Sequence, residues 1–338
     1  MRHKLALFAV SLAITLLAGA SPARAWGKFG HLTVCELAYR NFTPTTRAAV
    51  KDLLATDHGG IKVKGRGRLP DRWYTSFNLG CLEEDELPRR HREDHFINVA
   101  RSVTAIEDGS CPEAGECILA GIARDLAILR DTSRPREERV FALMALGHWV
   151  GDIHQPLHIS FADDRGSNGI EAKLQGRCGT AAGKPDNLHA VWDNCLLEAG
   201  LFERVRQRQD FRRSWSRNTI TYRAVDTLQA NTDLATEQAI VAQGKPRAWA
   251  QESYAVTLEP GVLYCVRSAG GCAYSDSQRE LTRSAPQRLQ PITQQYLMLY
   301  APVAEERIRR AGYRLAHLVN SALDPAYMGP SRDRSQPE

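Results

Sequence analysis

G-H-W-V-G-D-I-H-Q-P-L-H, residues 147–158, ends a helical run that opens at Pro135 and stops before Pro156. His148 and Asp152 stand four apart near the end of that helix. This spacing puts both side chains on one face, with Cβ atoms about 5–6 Å apart. Pro156 then turns the chain and lets His158 come back toward the same point. Downstream, N-L-H-A-V-W-D-N (187–194) repeats the device with His189 and Asp193. One His–Asp pair at this spacing is ordinary on a helix surface. Two such pairs with a further histidine point to a metal, and mixed imidazole and carboxylate ligands suit zinc at roughly 2.0–2.2 Å.

The start of the chain sets the chemical context. Arg2, His3 and Lys4 form a basic region, Leu5 to Ala18 an apolar run, and Ala23-Arg24-Ala25 a cleavage pattern, so residues 1–25 read as a signal peptide. The apolar run is shorter than the ~20 residues a membrane span needs. The expectation is export with cleavage between Ala25 and Trp26, leaving 313 residues. Losing Arg2, Lys4 and Arg24 lowers the formal net charge from +5 to about +2. So balanced a chain carries no electrostatic mandate for avid duplex binding. All eight cysteines lie after residue 25, an even number that favours disulfides over thiolate ligands in an exported protein. Cys111–Cys117 and Cys265–Cys272 are close enough to staple local loops; the full connectivity stays open.

The remaining pattern is mostly helical. Thr43 is a plausible N-cap and Pro44 a first helical residue for 44–55. Further helices are expected over 117–130, 187–199, 217–242, 246–256 and 286–322, with irregular or hairpin structure over 259–275. No repeat or linker divides the chain. The reading is one mainly α domain over 26–325, followed by a polar, disordered tail, 326–338.

Three more metal-ligand candidates lie upstream: Asp71 in L-P-D-R-W-Y, His95 in E-D-H-F-I-N-V, and His31 in H-L-T-V-C-E-L-A. Cleavage before Trp26 would also free an α-amine. Its pKa of about 7.7–8.0 lets a metal displace its proton near neutral pH, so amine and carbonyl of one residue can chelate together.

W-G-x-x-G-H at 26–31, D-H-F-I-N, the 147–158 run and N-L-H-x-V-W-D occur in this order. W-A-Q-E-S (249–253) and A-P-V-A-E-E-R-I-R-R-A-G-Y-R-L-A (301–316) follow. Together they resemble the zinc-dependent single-strand nucleases of the S-one/P-one type, distantly related to zinc-dependent phospholipase C. The resemblance covers essentially 26–320. It implies a single-domain, mainly helical phospholipase C/nuclease-like fold with a trinuclear zinc cleft. Carried over, Asp71, His95, His148 and Asp152 hold one zinc ion, and His158, His189 and Asp193 a second. Trp26, through its amine and carbonyl, holds the third with His31 and Asp152, so Asp152 bridges two ions. His154 is not a ligand by this mapping. The implied reaction is attack on a phosphodiester by zinc-activated hydroxide, with Asp71 orienting the nucleophile. Its substrates would be single-stranded RNA and DNA and nucleotides, its products 5′-phosphates. Phe96 and Asn98 fall near a base site, as stacking platform and hydrogen-bonding edge.

Two positions depart from the family pattern. Tyr74 stands where a basic residue is usual, with Arg72 beside Asp71 as the substitute candidate for substrate charge. Ser167 replaces a second glycine in D-D-R-G-S-N (163–168). The basic loop K-V-K-G-R-G-R (62–68) reads as solvated, with backbone contact to a nucleic acid as the alternative. Phospholipid is the alternative substrate, which the His-x-x-x-Asp pair at 189–193 disfavours, since the phospholipases carry His-x-x-x-Glu there.

Overall fold

Helix α1 (Lys28–Arg40) starts two residues past Trp26 and is buried from Gly30 to Ala38. The computed structural model describes residues 26–331 except 56–60, 64–71, 87–88, 108–109, 112–114, 176–177, 179–186, 276, 278 and 281–287. The expected signal peptide (residues 1–25), Asp71, most of the 62–68 loop and tail residues 332–338 therefore lie outside the described residues. Thr43 caps α2 (Pro44–Leu54) by accepting from the Thr46 amide, and Pro44 occupies the first turn. Two antiparallel strands, β1 (Ile61–Val63) and β2 (Arg72–Tyr74), and the short α3 (Phe77–Gly80) follow.

At the centre lie α4 (Ile118–Arg130) and α5 (Arg136–Asp152), packed on each other. Every residue of α5 from Ala142 to Asp152 is buried, so this helix is enclosed and shows no single apolar stripe. Its one indole donor is satisfied inside: Trp149 Nε1 donates to Asp125 of α4 at 2.7 Å. Gly151 is what lets α1 approach α5, because a Cβ there would lie 2.8 Å from His31 Nδ1.

The second His–Asp stretch forms α6 (Leu188–Ala190). It widens into π-helical turns at Val191–Cys195 and Glu198–Phe202 and continues into α7 (Glu203–Arg206), past the expected end at 199. The expected 217–242 helix is two, α8 (Arg217–Ala230) and α9 (Leu234–Ala242). Asp233 caps the second by accepting from the Thr236 amide. After α10 (Pro246–Thr257), the long α11 (Gln294–Leu323) packs along α1 and α5. It starts later than expected, at a cap from Thr293, because residues 288–292 pair as a strand.

Strands are few and short. β3 (Ile97–Val99) pairs in parallel with β4 (Ile159–Phe161), setting Asn98 opposite Ser160. β5 (Ile170–Leu174) takes β9 (Arg288–Ile292) in parallel, with β8 (Arg279–Glu280) on its outer side. β6 (Val266–Ser268) and β7 (Gly271–Ala273) make the hairpin expected within 259–275. All eight cysteines are paired: Cys35–Cys81, Cys111–Cys117, Cys178–Cys195 and Cys265–Cys272. The core is one continuous cluster running from Trp26 to Val319, which gives a mainly α fold. No described helix is long and apolar enough to cross a membrane.

Candidate metal centre

Six separate pieces of backbone deliver ligating side chains to one place. α1 brings His31, the 3-10 turn Arg92–His95 brings His95, and the last turn of α5 brings His148 and Asp152. The 3-10 turn Pro156–His158, α6 and the first π turn bring His158, His189 and Asp193. None of the seven is more than 4% exposed.

Asp152 is the hub. Its Oδ1 lies 3.2 Å from His31 Nε2, while its Oδ2 lies 3.0 Å from His95 Nδ1 and 3.4 Å from His148 Nε2. His158 joins at 3.7 Å through Nδ1. On the far side, His189 Nε2 is 3.6 Å from Asp193 Oδ2 and 3.1 Å from His158 Nε2. Two groups, His95–His148–Asp152 and His158–His189–Asp193, each bring their ligand atoms within 4.8 Å of one another.

The outer hydrogen bonds fix which nitrogens face inward. His148 Nδ1 donates to the Cys81 carbonyl at 2.7 Å, His158 Nδ1 to the His95 carbonyl at 2.6 Å, and His189 Nδ1 to the Gly166 carbonyl at 2.6 Å. A carbonyl only accepts, so each of these Nδ1 atoms carries a proton, and in the neutral imidazole each Nε2 presents a lone pair. Anchoring of this kind orients histidine ligands at metal sites. The Cys35–Cys81 disulfide ties the Cys81 carbonyl to α1, and Gly166 adopts φ +65°, where a Cβ would strike the Leu157 carbonyl at 2.6 Å. Gln155 holds Asp193 by donating to its Oδ1 at 2.6 Å.

Several buried atoms of these residues lack a protein hydrogen bond: both nitrogens of His31, His95 Nε2 and Asp152 Oδ1. Each such buried atom costs about 1–3 kcal/mol unless something satisfies it. Without a cation the charges are awkward. Burial pushes Asp193 well above the usual carboxylate range, and burial with the nearby His158 charge drives His189 down to about 3. For Asp152, burial opposes ionisation but His148 and His158 outweigh it and hold the carboxyl well below its usual range. Convergent lone pairs, a central carboxylate and unsatisfied atoms fit divalent cations bound by nitrogen and oxygen, which displace the protons these groups would otherwise share.

The other expected residues fall at varied places. Trp26 is fully buried beside the centre: a Cβ on Gly151 would lie 2.8 Å from His31 and 3.9 Å from the Trp26 ring, and the Gly27 amide donates to the Asp193 carbonyl at 2.8 Å. Phe96 and Asn98 are half-buried; Asn98 Oδ1 has no hydrogen-bond partner and lies next to Gly166, 3.6 Å from where a Cβ would be. Arg72 faces Glu83 at 2.8 and 3.0 Å and the Tyr74 hydroxyl at 3.2 Å, so it is engaged at its own strand. His154 stands apart, donating through Nδ1 to the Val150 carbonyl and accepting at Nε2 from Arg314. Ser167 is buried at φ +67°, its amide donating to Asp164 Oδ1 at 2.8 Å.

Asp85 is the carboxylate the sequence reading missed. Its Oδ1 lies 3.9 Å from His148 Nε2, and with His31 and His148 it forms a third group of potential ligands. In sequence it ends an E-E-D run that looks like a solvated turn. No local pattern marks it; it lies four residues past Cys81, and the Cys35–Cys81 disulfide, open in sequence, is what ties its turn to α1 beside His31.

Comparison with known proteins places the chain among nucleases. The family model described as S1/P1 Nuclease matches residues 26–324. Endonuclease 2 of Arabidopsis thaliana is 29% identical over 212 residues, 59% of this chain and 66% of the relative. Endonuclease 4 of the same plant is 31% identical over 187 residues, covering 53% and 58%. Nuclease S1 of Aspergillus oryzae is 28% identical over 173 residues, covering 51% and 55%. The matched stretch thus spans less than two thirds of each of these relatives.

Proposed function

This chain belongs to the S1/P1 nuclease family, and from that premise we propose that it is a zinc-dependent phosphodiesterase acting on single-stranded RNA and DNA. Its products are 5′-phosphates, and it also removes 3′-phosphates from nucleotides. The single observation carrying the reading is the set of three backbone-anchored imidazoles whose Nε2 atoms converge on two buried carboxylates.

Three zinc ions are assigned. His95, His148 and Asp152 hold one, joined by Asp71, which lies outside the described residues. His158, His189 and Asp193 hold the second, and the Trp26 amine and carbonyl, His31 and Asp152 the third. Zinc bound by these residues would lower the pKa of bound water to about 7 and neutralise charge on a transferring phosphoryl group. The protein's own part is to orient and to exclude water. Asp152 presents one oxygen to each side, Asp71 aligns the nucleophile, and the buried walls keep the local dielectric low.

Single-strand preference follows from the base site. Phe96 offers a ring and Asn98 an amide edge beside His189, and a base must leave its stack to reach them, which costs a few kcal/mol in a duplex.

Export with cleavage after Ala25 completes the reading, with 26–325 as the catalytic unit and 326–338 as a polar tail. Four disulfides and the burial of Trp26 against the centre support it. The test is zinc content with hydrolysis of single-stranded RNA, single-stranded DNA and phosphatidylcholine, for wild type and His148→Ala. Zinc-dependent cleavage of the nucleic acids, lost in the variant, is expected. Cleavage of lipid alone would replace the nuclease reading with a phospholipase.

A further inference from the structure

One ion pair outside the assigned ligands faces the centre. Asp85 Oδ1 accepts from Arg89 Nη2 at 2.6 Å while lying 3.9 Å from His148 Nε2. The two side chains are 13% and 12% exposed, so the pair sits at the rim, neither in bulk solvent nor in the core. The turn carrying Asp85 follows directly from Cys81, whose disulfide holds it against α1 and whose carbonyl anchors His148.

The Asp85 oxygen that Arg89 donates to is the same one that lies 3.9 Å from His148 Nε2. The nearby arginines pair with other acidic groups. Arg72 is clamped by Glu83 and Tyr74, and Arg90 lies 3.4 Å from Glu83 and over the Phe141 ring at 4.2 Å. Arg124 bonds to Asp94 and Asp125. Among these four arginines, Arg89 is the one whose carboxylate partner itself faces the metal-ligand candidates.

We propose that Arg89 is a substrate-binding residue that grips the non-bridging oxygens of the phosphoryl group, held over the centre by Asp85. The planar guanidinium fork matches phosphate oxygens two at a time, which a lysine ammonium does not. Tethering by Asp85 keeps the fork in one orientation, so little side-chain freedom is lost when the anion arrives. A fixed cation at this place acts on charge that builds on the phosphoryl oxygens during in-line displacement. This assignment rests on the phosphodiesterase reading above, and it supplies from another segment the protein cation missing at Tyr74.

The test compares wild type, Arg89→Met, Arg89→Lys and Asp85→Asn, all zinc-loaded. Zinc content, melting temperature, calorimetric affinity for inorganic phosphate, and kcat and KM on a single-stranded oligonucleotide are measured. Arg89→Met should keep its zinc and melting temperature, bind phosphate at least about tenfold more weakly, and lose about 10²–10³-fold in kcat/KM. Arg89→Lys should recover part of the phosphate affinity, and Asp85→Asn should show a smaller loss than Arg89→Met. Wild-type phosphate affinity in Arg89→Met overturns the proposal; so does loss of zinc from that variant, which would make Arg89 a support of the metal ligands. Should wild type cleave no oligonucleotide while phosphate affinity still depends on Arg89, the nuclease reading fails and the phosphate clamp stands.

Discussion

Two kinds of buried histidine stand six residues apart in the 147–158 motif. His154 is closed: Nδ1 donates to the Val150 carbonyl at 2.7 Å, and Nε2 accepts from Arg314 at 2.8 Å. Burial, with Arg307 and Arg314 nearby, holds it neutral, well below the usual histidine range. Behind it Glu252 bonds to both arginines at 2.7 to 2.8 Å, and Arg307 donates onward to the His154 carbonyl and Ser253. Every polar group there has a protein partner. His148 is open: one nitrogen is anchored, and the other points at His95 Nδ1 and Asp152. The lesson is that burial and sequence proximity do not separate a structural histidine from a candidate ligand. What separates them is what the second nitrogen faces: an arginine donor at His154, and other candidate ligands at His148.

The contrast can be broken most severely at its hub. Asp152→Ala removes the carboxylate that faces both His31 and His95, and should lower zinc content by more than one ion per chain. Activity should fall by at least about 10²–10³-fold. Elemental analysis beside an oligonucleotide assay checks both. Next is the start of the chain. A protein retaining one residue before Trp26 should bind about one zinc ion fewer and lose most activity, because its nitrogen is then an amide. Normal zinc content in that protein would return Trp26 to a packing role.

The closed side should respond in stability, not in metal. Glu252→Gln should cost about 1.5–3 kcal/mol, the range for hydrogen bonds to charged groups, with zinc content unchanged. Its pH signature has a definite sign. Burial disfavours the Glu252 charge, but Arg314 and Arg307 outweigh it and hold the carboxyl at about 2, below its ordinary 4.5. The stability it contributes is present above about pH 4.5 and is lost as pH falls toward 2. Acid melts of wild type should therefore decline through that window, and those of Glu252→Gln should decline less. The smallest effect is at Ser167, an L-residue at φ +67° with a buried, unpartnered hydroxyl. Ser167→Gly should stabilise by about 1 kcal/mol through relief of left-handed strain, seen as a higher melting temperature at constant zinc content.

Much of this was legible in sequence, for physical reasons. The i, i+4 spacing in α5 and the Thr43-Pro44 cap are local, and local geometry is readable from residue types. The break at Asn231–Asp233 was also written locally, as a capping aspartate, but helix-forming residues on both sides of it hid it. The parallel pairing of β5 with β9 joins residues more than a hundred apart, and no short-range pattern announces it. The same distance hid the rim. Asp85 and Arg89 belong to a polar run whose relation to His148 is created by the Cys35–Cys81 bridge, itself open among many pairings. His95 was found as a residue, but that it turns Nδ1 inward follows only from the fold.

The most direct test of the open-histidine account is the zinc stoichiometry of the mature chain beginning at Trp26, measured alongside His148→Ala and His154→Ala. Three ions per chain are predicted for wild type, with at least one lost from folded His148→Ala and none from folded His154→Ala. A wild-type chain without bound zinc, or a His148→Ala chain that still holds three ions, would contradict the account.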